Sequence, residues 1–200
     1  MMGRAPHPDN LAQSFSKLLS NRLSCGLVCD AESASSNERI IRTTKQWIEK
    51  FAHELYRTFI VIQWSTWERE EWLIDHNYYQ VNSSGIDIVP ESHQQKYKEY
   101  VANIDWQQKT DNAHKTIWKF HTELKGKGIK HVFFNGNNSF SQIKNHKEWG
   151  TSYIDPYGDI TYDKIVGANC ETVSPTSYHY GADGHRVWAQ FLTKYIVDNK

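Results

Sequence analysis

At 200 residues, 38% apolar and 14% aromatic, the chain has enough material for one substantial hydrophobic core and little for a second, so one domain over 1–200 is the expectation. Its 23 Lys and Arg balance its 23 Asp and Glu, which gives no global field to draw it to nucleic acid or to an anionic membrane. No apolar run reaches the length that spans a bilayer, and the opening Met1-Met2-Gly3-Arg4 lacks the apolar core of a secretory signal, so a cytoplasmic protein is expected.

In chain order, Leu11, Phe15, Leu18, Leu19 and Leu23 fall at helical spacing behind Pro8-Asp9 and predict a first helix over 10–23. Gly26 to Cys29 reads as a short buried strand. Cys25, Cys29 and Cys170 form no Cys-x-x-Cys pair and fit neither a zinc ribbon nor a disulfide framework, so Cys25 and Cys29 are expected reduced and packed as small hydrophobes. Ser35-Ser36-Asn37-Glu38 supplies capping residues ahead of Ile40, Ile41, Trp47, Ile48 and Phe51, a second helix. Thr58 to Trp64 is β-branched and aromatic almost without interruption, as a strand covered on both faces requires.

An acidic, Trp-rich stretch from Ser65 to Trp72 and a loop around Asn82 to Gly85 follow, and then a long helical region from Pro90 to about Lys125. Ile129 to Asn135 is a further strand with an Asn-Gly-Asn-Asn exit turn, 139–178 is irregular, and Ala182 to about Val197 is a last amphipathic helix. Helices alternating with strands predict parallel strands joined by crossovers, an α/β doubly wound sheet.

Ligands of such sheets lie beyond the carboxyl ends of the strands. That places Ser35, Ser36 and Asn37, then Trp64 and Ser65, then Asn135, together with the segment Tyr178 to His185, as candidate site residues. Trp67, Trp72, Tyr78, Tyr79 and Trp149 either line such a site or roof the core. Glu68, Glu70 and Glu71, interleaved with Trp67, Arg69 and Trp72, read as a solvated, partly ion-paired loop rather than an acid–base cluster. His179 and His185 are six apart, which is not the i, i+4 spacing of a helix-borne zinc pair, so neither metal nor cofactor is expected.

The segment Ser177-Tyr178-His179-Tyr180-Gly181-Ala182-Asp183-Gly184-His185-Arg186-Val187-Trp188-Ala189 resembles the last block of SGNH (GDSL-like) hydrolases. Ala34 to Ile40 resembles their second block and Gln63 to Arg69 their third. The stretches are similar to those of uncharacterised SGNH-like proteins of tailed, particularly marine, bacteriophages. The resemblance implies a three-layer α/β/α, flavodoxin-like fold and ester hydrolysis with His179 as the catalytic base.

It further implies oxyanion or substrate contacts from Ser35, Ser36, Asn37, Trp64, Ser65 and Asn135. A small ester or acylated glycan would be the substrate, and virion proteins the possible partners. The location would be the infected host's cytoplasm or the virion. Three departures stand beside it. No strand ending in Gly-x-Ser precedes Asn10, so the first strand and the nucleophile are expected outside this chain. Thr176 occupies the position of the histidine-orienting aspartate, and Ser65 or Thr66 that of the third-block asparagine. The alternative is an inactive relative that keeps the same crevice for binding; a nucleotide-binding reading lacks a Gly-rich phosphate loop.

Overall fold

The computed structural model describes residues 8–85, 88–177 and 179–199. The chain separates into two compact units, a helical one from residues 1–33 and 159–200 and a sheet-containing one from residues 34–158.

In the sheet unit, helix α1 (Asn37–Lys50) starts where Ser36 turns its hydroxyl to accept the Arg39 amide at 3.1 Å. Strands β1 (Phe59–Trp64) and β4 (Lys130–Asn135) pair in parallel, in register from Phe59–Lys130 to Trp64–Asn135. Among the described residues these two strands form the parallel sheet, with one isolated parallel bridge from Phe133 to Tyr153.

A parallel pair needs a long connection, and here it contains two helices, α2 (Gln94–Ala102) and α3 (Trp106–Gly126). Ile117, Phe120 and Leu124 of α3 recur at helical spacing and share one core with Ile62 and Trp64 of β1, Phe133 of β4 and Ile48 of α1. Gly128, at φ 68°, takes the left-handed turn that ends α3 and feeds β4. Along β4, His131, Phe133 and Asn135 alternate with Val132 and Phe134, and all five are at most 2% exposed. β4 is thus the strand buried on both faces. β1, expected to be so, buries Ile62 and Trp64 and leaves Phe59, Ile60 and Val61 half-buried.

The acidic stretch after β1 is not all loop. It enters a hairpin of β2 (Glu70–Ile74) and β3 (Asn77–Val81), turned by Asp75 and His76 at φ 48° and 65°, the pair of positive φ values that matches the twist of the strands. Trp72, Ile74 and Val81 bury against Val89 and Tyr97 as a second cluster.

The helical unit consists of α4 (Pro8–Gln13), α5 (Phe15–Arg22), α6 (Tyr162–Gly167) and α7 (Ala182–Asn199). The expected single first helix breaks at Ser14, whose hydroxyl donates to the Leu11 carbonyl at 2.7 Å and accepts the Lys17 amide at 3.2 Å. Leu19, Val166, Trp188, Leu192 and Ile196 form the buried side. Gly184 sits where a Cβ would lie 2.5 Å from the Tyr180 Cβ and 2.7 Å from Val166 Cγ1, so only glycine lets α7 close on α6.

Gly26 to Cys29 is not a strand. Val28 is 69% exposed and both Cys25 and Cys29 are exposed, contrary to the packed strand expected. A short apolar run becomes a strand only when a neighbour takes its amides, and none among the described residues does. Among those residues no helix is long and apolar enough to cross a membrane.

Phe133 is fully buried where β1, β4 and α3 meet, so Phe133→Ala is expected to lower the urea-unfolding free energy by about 3–5 kcal/mol.

Candidate functional site

The carboxyl ends of β1 and β4 are tied to each other and to the start of α1. The Gly136 amide donates to the Trp64 carbonyl at 3.1 Å, and a Cβ on Gly136 would stand 3.0 Å from that oxygen. Asn37, 6% exposed, uses both ends of its amide on one residue: Oδ1 accepts the Ser65 N–H at 2.9 Å, and Nδ2 donates to the Ser65 carbonyl at 3.4 Å. Asn37, Trp64 and Ser65 thus lie together in this unit. Asn135 is internal to the fold, accepting the Tyr153 hydroxyl at 2.6 Å and donating to the Pro156 carbonyl at 3.5 Å.

Ser36 corrects one expectation. Its amide, expected to face an oxyanion, donates to Gln80 Oε1 at 2.9 Å. Gln80 Nε2 in turn donates to Glu71 Oε1 at 2.7 Å, and Arg42 grips Glu71 through Nε and Nη2, each at 2.7 Å. A chain of polar groups therefore runs from the start of α1 through β3 and β2 and back to α1. Burial alone would raise the Glu71 pKa, but the Arg42 and Gln80 hydrogen bonds outweigh it and hold the carboxyl below its usual value.

Several buried polar atoms around the β1 end have no hydrogen-bond partner among the described residues: Ser35 Oγ, Trp64 Nε1, Thr66 Oγ1, Trp67 Nε1, Glu68 Oε2, Arg69 Nε and, after β4, Asn138 Oδ1. Each such atom costs about 1–3 kcal/mol unless water or another group meets it, and seven of them lie in or beside this one short stretch.

The solvated acidic loop expected here is also corrected. Glu68 is 6% exposed, and Arg69 is half-buried, with its Nη1 donating to Ser65 Oγ at 3.0 Å and its Nε 4.0 Å from Glu68 Oε1. Burial pulls the Arg69 pKa below its ordinary value, with Glu68 and Tyr100 opposing. Trp67, Trp72 and Trp149 roof the core, Trp67 lying flat on Phe140 with ring centroids 4.7 Å apart; Tyr78 is the exposed one of the set.

His179 belongs to the helical unit. It is half-buried, its amide donating to Ser177 Oγ at 3.1 Å and its carbonyl accepting the Val173 amide at 2.8 Å, which fixes the backbone two residues before Gly181. His185 packs structurally, as expected, stacked on Phe15 at 6.0 Å, and burial lowers its pKa. Asp183 pairs with Arg186 in the first turn of α7, where a carboxylate suits the helix dipole. Among the described residues no three His, Cys, Asp or Glu side chains gather as metal ligands.

Gln80, Arg42 and Tyr153 escaped the sequence reading, and Glu71 entered it only as part of a partly ion-paired loop. The Ser36–Gln80 bond spans 44 positions and the Arg42–Glu71 pair 29, and no local pattern announces either. Comparison with protein families, with curated proteins and with solved structures finds no match.

Asn37→Ala removes the acceptor of the half-buried Ser65 amide, and a loss of about 1–3 kcal/mol in urea unfolding is expected. Glu71 contributes stability that is complete above its unfolded value, near 4.5, and disappears as pH falls through its lower folded value. The wild-type melting temperature should therefore drop more steeply below that pH than that of Glu71→Gln, measured by thermal scans across the acid range.

Proposed function

We propose that the chain is an SGNH-like ester hydrolase module of phage type, acting on a small ester or an acylated glycan, with His179 as general base. The observation that carries this reading is the reciprocal Asn37–Ser65 pair, which holds the start of a helix on the carboxyl end of a parallel strand amid unpartnered buried polar atoms. Ligands of open α/β sheets bind at such an end.

In this reading β1 belongs to a larger doubly wound sheet. Among the described residues it pairs only with β4, and its second edge would take a strand ending in Gly-x-Ser. The serine would attack the acyl carbon and give its proton to the general base, and beside β1 the Ser65 hydroxyl, with Arg69 bonded to its oxygen, would donate to the developing oxyanion.

A second reading rests on a specific observation. The Ser36 amide, which an oxyanion would need, donates to Gln80 instead. An inactive relative that retains the polar strand end for ligand or virion contacts would have this arrangement.

Hydrolysis of p-nitrophenyl acetate and butyrate separates the two, measured on residues 1–200 and on the same chain preceded by a strand ending in Gly-x-Ser. The hydrolase reading expects activity in the serine-bearing form and a loss of about 10²–10⁴-fold in kcat/KM with His179→Ala. Inactivity of both forms overturns it in favour of the binding module.

A further inference from the structure

Away from the strand ends, the segment after β4 packs Trp149 on Trp118 and His121 of α3, and its polar fastening to α3 runs through one phenol. The Tyr157 oxygen receives the Lys147 amide at 2.6 Å and the Trp149 indole N–H at 2.9 Å. A hydroxyl accepts two hydrogen bonds and donates one, so with both acceptor positions filled its own proton goes to the remaining neighbour, His114 Nε2, 3.0 Å away. His114 must therefore be neutral, with its proton on Nδ1.

Its ring is 5% exposed and meets Phe140, Trp149 and Tyr157. The charged or titratable groups that act on it are Asp111 on its own helix and Lys147 and His146 on the segment, His146 lying flat on the Tyr157 ring with centroids 3.8 Å apart.

We propose that His114 is a proton-operated catch, which holds residues 146–157 against α3 while neutral and releases them when protonated. A proton on Nε2 would set two donors, the imidazolium and the Tyr157 hydroxyl, against each other. The phenol cannot turn away without giving up the Lys147 amide or the Trp149 indole. The new charge would also sit among three aromatic rings with Lys147 nearby, and only Asp111 favours it.

Burial, followed by Lys147, lowers the His114 pKa from its ordinary value near 6.5, in keeping with this geometry. The sign follows: a histidine whose folded pKa is depressed contributes fully above its unfolded value, and that contribution falls away as pH drops toward the folded one. The segment also carries Tyr153, which holds Asn135, and Pro156, whose carbonyl takes the Phe140 amide at 2.8 Å. Release would thus loosen the exit of β4.

Hydrogen–deuterium exchange of peptides covering 144–157, corrected for intrinsic rates, tests the catch at about pH 7.5 and about pH 5.5, on either side of the histidine range. In the wild type, protection is expected to fall with acid by up to about tenfold per pH unit, the limit for one proton. His114→Gln offers a carbonyl that accepts the Tyr157 proton without titrating, and should keep protection at both pH values. Tyr157→Phe should lose it at both. Equal wild-type protection at the two pH values, or the same acid loss in His114→Gln, would overturn the proposal.

Discussion

Six residue pairs between β1 and β4 organise the sheet unit. Parallel strands cannot be joined by a tight turn, so the 65 residues between them have to leave the sheet, cover it and return. That requirement sets the place of α3, whose Ile117, Phe120 and Leu124 land on Trp64 and Phe133. It also leaves room for the hairpin, which has its own small cluster around Trp72 and Tyr97 rather than a share of the main core. The polar residues follow the same geometry. Where the strands end, backbone groups no longer find partners in the ladder, and Asn37, Gly136 and Tyr153 converge there to meet them or the side chains beside them.

Polar contacts, more than apolar ones, distinguish this unit. Glu71 is a buried carboxylate made tolerable by a guanidinium and a carboxamide together, and the same carboxamide satisfies the Ser36 amide. A network of this kind is effective only when complete, because removing one member leaves the others buried and unpaired. The stretch from Trp64 to Arg69 is the contrast, with several atoms in the same kind of surroundings left unmatched.

The helices were legible wherever apolar residues recur at helical spacing over several turns, as around Ile117 or Trp188, and β1 and β4 were legible from their β-branched and aromatic runs. The hairpin was not. Its turn is Asp75-His76 rather than Asn-Gly, Leu73 faces outward at 61% exposure, and buried Glu71 spoils the alternation expected of a strand. Gly26 to Cys29 failed in the opposite sense, since apolarity over four residues says nothing about whether a partner exists. At the candidate site, Asn37 and Ser65 could be placed because position after a strand or before a helix is a local property. What each atom bonds to is not local, so the engagement of the Ser36 amide by Gln80 had no trace in sequence.

The helical unit is assembled from two stretches far apart in sequence, with α5 made well before α7. A ribosome emits residues in order, at about 5–20 per second. Leu19 and its neighbours therefore emerge many seconds before Trp188 and Leu192 exist to cover them, while the whole of 34–158 is already available to fold. The newborn chain passes through an interval in which residues 34–158 can already fold while α4 and α5 still lack the α7 side chains that cover them, and in that interval a holding chaperone would find its binding site on α4 and α5.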